Sequence, residues 1–240
     1  MNYQRQIQVI GEKAQEKLSK STAVIVGVGG IGTIAAELLA RSGVNLVLID
    51  FDFVDETNLQ RQMLFDNGDI GKTKTSIAAE KLKKINPKIK IKAHQDCIRS
   101  KNVDLLKEDI ILDCTDNFDA RYLINQYCVK NKIPLVIAAA VEQRCLLFSV
   151  VGKPCFECIF SSDKIGKTCC EVGVLSTVTT IVGALQANEA IRILIGEKPS
   201  KDLLYINAKN ISFDSVKVKP SKKCRTCKGD YYLLANVNKW

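Results

Sequence analysis

The chain has 240 residues, of which 46% are apolar and 25% are charged, so it can bury a full core like an ordinary globular domain. No apolar run approaches the ~20 residues that cross a membrane, and the first residues lack the apolar core of a signal peptide, so we expect a cytoplasmic protein with no membrane partner. The net charge of +9 comes mostly from lysine; we attribute it to a solvated surface, so nucleic acid is not an expected partner.

The predicted elements begin with an amphipathic helical arm over residues 3–20 and then alternate between strands and helices. Strands are predicted at 22–27, 45–50, 88–93, 109–114, 134–140 and 145–151. Helices are predicted from the glycine-rich segment 27–32 to Ser42, and at 73–85, 118–131 and 175–195. Two apolar segments after residue 195 predict a terminal hairpin. This alternation is typical of an α/β fold: a doubly wound, Rossmann-like, mainly parallel sheet with a C-terminal antiparallel extension.

A glycine-rich turn follows the first predicted strand and opens a helix. Its glycines are Gly27, Gly29, Gly30 and Gly32. Glycines permit a tight turn and let the amides of the helix N-terminus approach a phosphate or a ribose. Asp50, at the end of the second strand, is placed where a carboxylate can hold ribose hydroxyls. This pattern alone fits NAD, FAD or ATP, with a dehydrogenase as the default interpretation.

The next segment argues against a dehydrogenase. Asn58 and Arg61 are three residues apart and share a helical face, and Lys74 follows. An amide, a guanidinium and an ammonium suit a triphosphate better than a nicotinamide. Asp116 comes just after the fourth strand, at the edge where ligands gather in such sheets, and could hold Mg²⁺ against the phosphates. Singly, Arg61 and Lys74 could be surface charges, and Asp116 could cap a helix.

Two Cys-x-x-Cys pairs predict a metal site: Cys155 with Cys158, and Cys224 with Cys227. Each pair can direct two thiolates at one ion, and together they supply the four sulfurs of a tetrahedral structural zinc site. Such a site leaves no position for water, so it would hold the C-terminal segment against the middle of the chain. A redox pair or disulfides are the alternative. The single histidine nearly excludes a Ser-His-Asp triad and histidine-based zinc catalysis.

The ordered motifs resemble the ThiF/MoeB/HesA family, relatives of ubiquitin-activating enzymes. The matching segments are YQRQI (3–7), VGVGGIG (26–32), DFDFVDETNLQRQ (50–62), GKTK (71–74), INP (85–87), LDCTDN (112–117), PCFEC (154–158), TCCEVGV (168–174), LQANEAI (185–191) and CRTC (224–227). The resemblance implies an adenylyltransferase that uses ATP and Mg²⁺ to activate the C-terminal glycine of a small ubiquitin-like sulfur carrier ending in Gly-Gly. It also implies one domain over 1–240, with a nucleotide-binding half at 21–140 and a carrier-binding and zinc half at 141–240.

The same resemblance assigns roles to individual residues. It implies that Asp52, with Asp50 nearby, contacts the ribose and that Asp116 handles Mg²⁺. The residues that it assigns to the phosphates are Asn58, Arg61 and Lys74. Arg5 is similar to an arginine that reaches the nucleotide site of the other subunit, so we expect a homodimer. Because no rhodanese domain follows within this sequence, we expect a separate sulfur donor of the cysteine desulfurase or rhodanese type.

Two features bear on which carrier is used. Cys169 matches the family cysteine that bonds to the carrier in the thiazole branch, which slightly favours a ThiS-like carrier of thiamine biosynthesis over a MoaD-like carrier of molybdopterin biosynthesis. Cys170 is unexpected beside it. Segment 140–146 lacks the glycines that relatives usually carry and offers Arg144 and Cys145 instead. The other hypotheses are a peptide-activating or cysteine-biosynthesis relative, an NAD-dependent oxidoreductase, and a non-enzymatic zinc scaffold that binds a ubiquitin-like protein.

Overall fold

A computed structural model describes residues 1–160 and 172–235 of the chain. The helices are α1 (Gln4–Ile10), α2 (Glu12–Lys20), α3 (Gly30–Arg41), α4 (Lys74–Ile85), α5 (Phe118–Asn131), α6 (Ser176–Ile195) and α7 (Tyr232–Ala235). The strands are β1 (Thr22–Val26), β2 (Asn45–Ile49), β3 (Ile91–His94), β4 (Ile110–Asp113), β5 (Leu135–Val141), β6 (Arg144–Val150), β7 (Asp202–Asn207) and β8 (Ser212–Lys217). Short 3₁₀ segments lie at Glu56–Asn58, Asn67–Asp69, Ser100–Leu106, Phe156–Cys158 and Thr226–Lys228.

All eight strands form one sheet in the order β3-β2-β1-β4-β5-β6-β7-β8. Strands β1 to β5 pair in parallel, whereas β5 to β8 pair antiparallel. The predicted Rossmann-like, mainly parallel sheet with a C-terminal antiparallel extension is therefore confirmed. The chain changes direction across the sheet between β1 and β4, and in open α/β sheets a ligand cleft forms at this switch point.

Helices cover both faces of the sheet, each over its own apolar core. On one face α3 packs against α6 and against the strands. The buried residues of α3 recur at helical spacing, with Ile31, Ala35 and Leu39 on one stripe, which explains why this segment folds as an amphipathic helix. On the other face α5 packs over β4 and β5, where Tyr122 and Phe156 meet edge to face at 5.3 Å between ring centroids.

Two predicted elements differ from the structure. The arm over 3–20 is two helices, because Gly11 has a φ of +83°, which a helix cannot contain and which glycine adopts without strain. The third strand begins at Ile91, three residues later than predicted. Pro87 ends α4, and the amide of Lys88 donates to the side chain of Asn86 at 3.2 Å, so these residues form a turn.

Helix α6 is long and apolar enough to cross a membrane by length and composition alone. In the described structure it packs against α3, β5 and β6, and Val182 and Ala187 lie in the core. Its apolar character therefore belongs to a core helix and does not indicate a membrane span.

Candidate nucleotide-binding site and four-cysteine cluster

The glycine-rich turn between β1 and α3 requires glycine at two positions. Gly27 has a φ of +91°, and a Cβ there would lie 2.8 Å from the carbonyl oxygen of Cys114. A Cβ on Gly32 would lie 1.9 Å from the carbonyl oxygen of Gly27. The turn therefore closes on its own backbone, and the first residues of α3, Gly30 and Ile31, line the cleft at the carboxyl ends of the strands.

Two carboxylates after β2 have different environments. The two oxygens of Asp50 accept hydrogen bonds from the amides of Val28, at 2.6 Å, and of Asp52, at 2.8 Å. Burial raises the pKa of Asp50, and the amide of Asp52 opposes that shift. Asp50 thus ties the glycine turn to the end of β2. The half-exposed Asp52 instead pairs with the buried ammonium of Lys74 at 2.8 Å. Both side chains line the cleft.

Asn58 and Arg61 line the same cleft as Lys74 and the glycine turn. Asn58 closes a capping box with Asp55, which fixes the start of this segment, and the guanidinium of Arg61 donates to the carbonyl of Thr57 at 3.0 Å. Asp116, which follows β4, lines the same cleft. The structure therefore brings together the predicted phosphate-binding residues and the predicted Mg²⁺ ligand, around one turn.

A buried ion pair supports the Asp116 loop, and sequence reasoning missed it. Asp113 is fully buried, and its carboxylate lies 3.1 Å from Nε of Arg121 in α5. Arg121 also donates to the carbonyls of Thr115 and of Ala138, the latter at 3.0 Å. Burial raises the pKa of Asp113, and the Arg121 guanidinium opposes that shift. No pattern in the sequence marks this pair, because its burial arises only when α5 packs against β4.

The cleft has a volume of about 850 Å³ and continues away from the glycine turn across the antiparallel strands. Its far part is lined by Ala139, Val141, Arg144, Leu146 and Tyr205. Such a continuous cleft has room for a nucleotide and for an extended chain that approaches it from the side of β7.

The four cysteines of the two Cys-x-x-Cys pairs meet in one cluster. Their sulfur atoms all lie within 4.8 Å of one another. The Sγ atoms of Cys155 and Cys224 are 3.5 Å apart, as are those of Cys158 and Cys227. Four sulfurs at ~2.3 Å from a tetrahedral zinc would be separated by roughly 3.8 Å, so the cluster fits that ion with a small expansion. The amide of Ser221 donates to Cys158 Sγ at 3.4 Å, a bond that favours a thiolate.

Polar side chains hold the cluster from outside. Glu157 accepts hydrogen bonds from the amides of Arg225, at 3.1 Å, and Thr226, at 3.2 Å, so the second pair is fastened to the first. The buried Asn125 accepts from the amide of Phe156 at 3.0 Å, and its Nδ2, which has no partner among the described residues, faces Cys155. Burial raises the pKa of Cys155 to about 12, and the Asn125 amide opposes this shift.

The predicted catalytic residue Arg5 lies outside the cleft. It is exposed on α1 and is not among the described residues that line the cleft. Tyr3 and Gln6 anchor this helix beside the end of α3, where Gln6 Nε2 donates to the carbonyl of Ser42 at 3.2 Å. The 12 residues of α3 span about 18 Å from there to the glycine turn. The predicted catalytic Cys169 and its neighbour Cys170 fall outside the described residues.

The fold and the site define a Rossmann-like α/β protein with a glycine turn facing two cations and with a four-cysteine cluster. The family model of the ThiF family matches residues 3–226. The chain therefore belongs to the ThiF family, as the motifs predicted.

Alignments with curated relatives cover nearly the whole chain. The chain is 37% identical to the molybdopterin-synthase adenylyltransferase of Escherichia coli over 95% of its own length and 96% of that protein. It is 36% identical to the sulfur carrier protein ThiS adenylyltransferase of Escherichia coli, over 95% of each. The adenylyltransferase and sulfurtransferase MOCS3 of Anopheles gambiae is 35% identical over 94% of this chain, which spans about half of that relative, 54%.

Solved structures show the same fold. A crystal structure of Escherichia coli MccB with ATP superposes with a TM-score of 0.82 at 27% identity, covering 94% of this chain and 74% of that chain. The protein in that structure, MccB with ATP, therefore has the same fold as this chain.

Proposed function

We propose that this protein adenylates the C-terminal glycine of a small ubiquitin-like sulfur carrier, using ATP and releasing pyrophosphate. The observation that carries the proposal is one continuous cleft of about 850 Å³, which joins the glycine turn and the cations of Arg61 and Lys74 to residues of the antiparallel strands. Curated relatives that this chain covers to 95% or more are named adenylyltransferases, one for molybdopterin synthase and one for the carrier ThiS.

The reaction needs charge control more than a general base. The carrier's terminal carboxylate is already a nucleophile at neutral pH, and its oxygen attacks the α-phosphorus of ATP while the bond to pyrophosphate breaks. The product is an acyl-adenylate with a mixed anhydride bond. Both reactants are anionic, so the rate depends on positioning and on cations. Arg61 and Lys74, with the amide of Asn58, would bind the phosphates, and Lys74 would leave Asp52 to do so. Asp52 would then be available to the ribose.

Two metal ions have separate places in the proposal. Asp116 would hold Mg²⁺, which supplies neutralisation of the phosphate charge when bound. Zinc would be held by Cys155, Cys158, Cys224 and Cys227. Four thiolates would leave no open position on the ion, so the site would be structural and would fasten the C-terminal segment to the segment around Cys155 and Cys158.

The proposed assembly is a homodimer in which Arg5 acts in the partner's site. Arg5 lies on an arm anchored about 18 Å from its own glycine turn by the length of α3, which favours a role in the partner's cleft over a role in its own. Three exposed apolar side chains in the segment beside the site, Phe53, Met63 and Ile70, are 55%, 60% and 45% exposed. Burying such a surface favours association of two copies.

The carrier is proposed to be ThiS-like, with a MoaD-like carrier as the second candidate, since relatives of both kinds have nearly equal identity. Cys169 supports the first through its resemblance to the thiazole-branch cysteine. In that case Cys169→Ser spares adenylation and impairs transfer of sulfur from a separate donor. A MoaD-type enzyme would lose neither step.

The test is ATP–pyrophosphate exchange with purified ThiS and MoaD carriers that end in Gly-Gly. We expect exchange with one of them and a fall of about 100-fold or more in Arg61→Ala or Asp116→Ala. Arg41→Ala is the matched control, because Arg41 is a surface arginine at the far end of α3. Full exchange in both site variants contradicts the assigned roles, and no exchange with any carrier contradicts the proposed function.

A further inference from the structure

The far part of the cleft has a floor made by rows of side chains on one face of three antiparallel strands. One row pairs Ala139 with Leu146 and Leu146 with Tyr205. The next row, closer to the rim, pairs Val141 with Arg144 and Arg144 with Asn207. Directly paired residues in an antiparallel sheet point to the same face, so Arg144 is the charged member of two rows whose other residues (Ala139, Leu146, Tyr205, Val141 and Asn207) are uncharged.

Arg144 carries a charge that the described structure leaves uncompensated. It is exposed and lines the cleft. No ion pair or side-chain hydrogen bond joins it to any described residue, and the nearby Glu142 does not pair with it within 4.0 Å. Glu142 is instead held by its backbone, which accepts from the amide of Leu175 and donates to the carbonyl of Gly173. A guanidinium aimed into a binding cleft without a carboxylate is suited to receive one from a ligand.

Sheet geometry limits which part of a ligand can meet this charge. Arg144 begins β6, which lies two strands from β4 and three strands from β1. With strands about 4.8 Å apart, it stands roughly 10–14 Å from the edge where the nucleotide would lie. An extended chain advances about 3.3 Å per residue, so a tail whose last carboxylate reaches the α-phosphate passes Arg144 with a residue about three to five positions before its end.

We infer that Arg144 is a specificity-determining residue that selects substrate tails with an acidic side chain about three to five residues before the terminal glycine. This inference rests on the proposed function and names the kind of carrier that the site accepts. The acidic side chain would form a charge-assisted hydrogen bond with the guanidinium. A basic side chain there would be repelled, which gives discrimination by rejection as well as by attraction.

The test uses the Escherichia coli ThiS carrier as a probe, with the residues three, four and five before its terminal glycine replaced singly by Glu, Gln or Lys. ATP–pyrophosphate exchange is measured for the unsubstituted enzyme, Arg144→Gln and Arg144→Glu. Lys209→Gln is the matched control, because it removes one positive charge near the same strands but outside the cleft lining.

We expect the unsubstituted enzyme to prefer Glu over Lys by about tenfold at one of these positions, mainly through KM, because a partly desolvated charge pair affects binding of the tail. Arg144→Gln abolishes the preference, and Arg144→Glu reverses it. The preference also weakens at high salt. The Lys209→Gln control keeps the preference of the unsubstituted enzyme.

Three results overturn the inference. Equal exchange with all tails refutes the role of Arg144 but leaves carrier adenylation intact. If Arg144→Gln lowers the exchange rate equally with every tail, Arg144 affects the fold and does not select the tail. An absence of exchange with every ThiS tail and with a MoaD carrier measured alongside them, in protein that still binds ATP, contradicts the proposed function and removes the inference with it.

Discussion

Replacing Arg121 by alanine should leave a buried negative charge without its partner. Asp113 has no exposed surface, and the side chain of Arg121 is 6% exposed, with 3.1 Å between Nε and the carboxylate. Removing one partner of a buried pair costs about 3–5 kcal/mol, because the other charge stays desolvated. The two hydrogen bonds from Arg121 to backbone carbonyls are lost as well.

The assay is urea unfolding of the zinc-loaded protein with the midpoint and slope fitted together. A surface pair provides the matched control: Arg41 pairs with Glu37 at 2.7 Å and is 50% exposed. Arg41→Ala should lower the free energy of unfolding by about 0.5 kcal/mol or less. In a chain of this length, the Arg121→Ala loss corresponds to a decrease in Tm of roughly 6–20 °C.

The pH dependence gives a second check on the same reasoning. Burial already raises the pKa of Asp113, and loss of the opposing guanidinium raises that pKa further. A carboxyl whose folded pKa exceeds its unfolded value binds protons more tightly in the folded state, so its destabilising effect is largest at high pH. The difference in unfolding free energy between Arg121→Ala and the unsubstituted protein should therefore shrink as the pH falls through the raised pKa of Asp113. A loss below ~1 kcal/mol, or a deficit that grows in acid, would refute this account of the pair.

Further predictions concern the glycine turn and the cysteine cluster. Gly32→Ala should abolish ATP binding in calorimetry, because its Cβ would meet the carbonyl oxygen of Gly27 at 1.9 Å; retained binding would contradict the turn geometry. Cys224→Ser should release zinc in metal analysis whereas Cys97→Ser, outside the cluster, should not, and equal zinc content in both would argue against a four-thiolate site. Asn125→Ala should weaken zinc binding by about tenfold in a chelator competition by removing a donor that faces the cluster.

The amino-acid sequence by itself determined the fold class, the glycine turn and the pairing of the cysteines into one cluster. These features depend on local patterns: strand and helix periodicity, glycines at fixed spacing, and two thiols per turn. The motif order also determined the family, because ten short segments matched in sequence order over nearly the whole chain.

Other features were decided only by the tertiary structure. Asp50 turned out to bind the amides of Val28 and Asp52 with its two oxygens, which no spacing rule could distinguish from a carboxylate open to a ligand. The pair of Asp113 and Arg121 joins the end of a strand to the next helix, and its importance comes from complete burial. Burial and side-chain direction arise when distant segments pack together, so periodicity along the chain identified which elements form but not which polar groups they enclose.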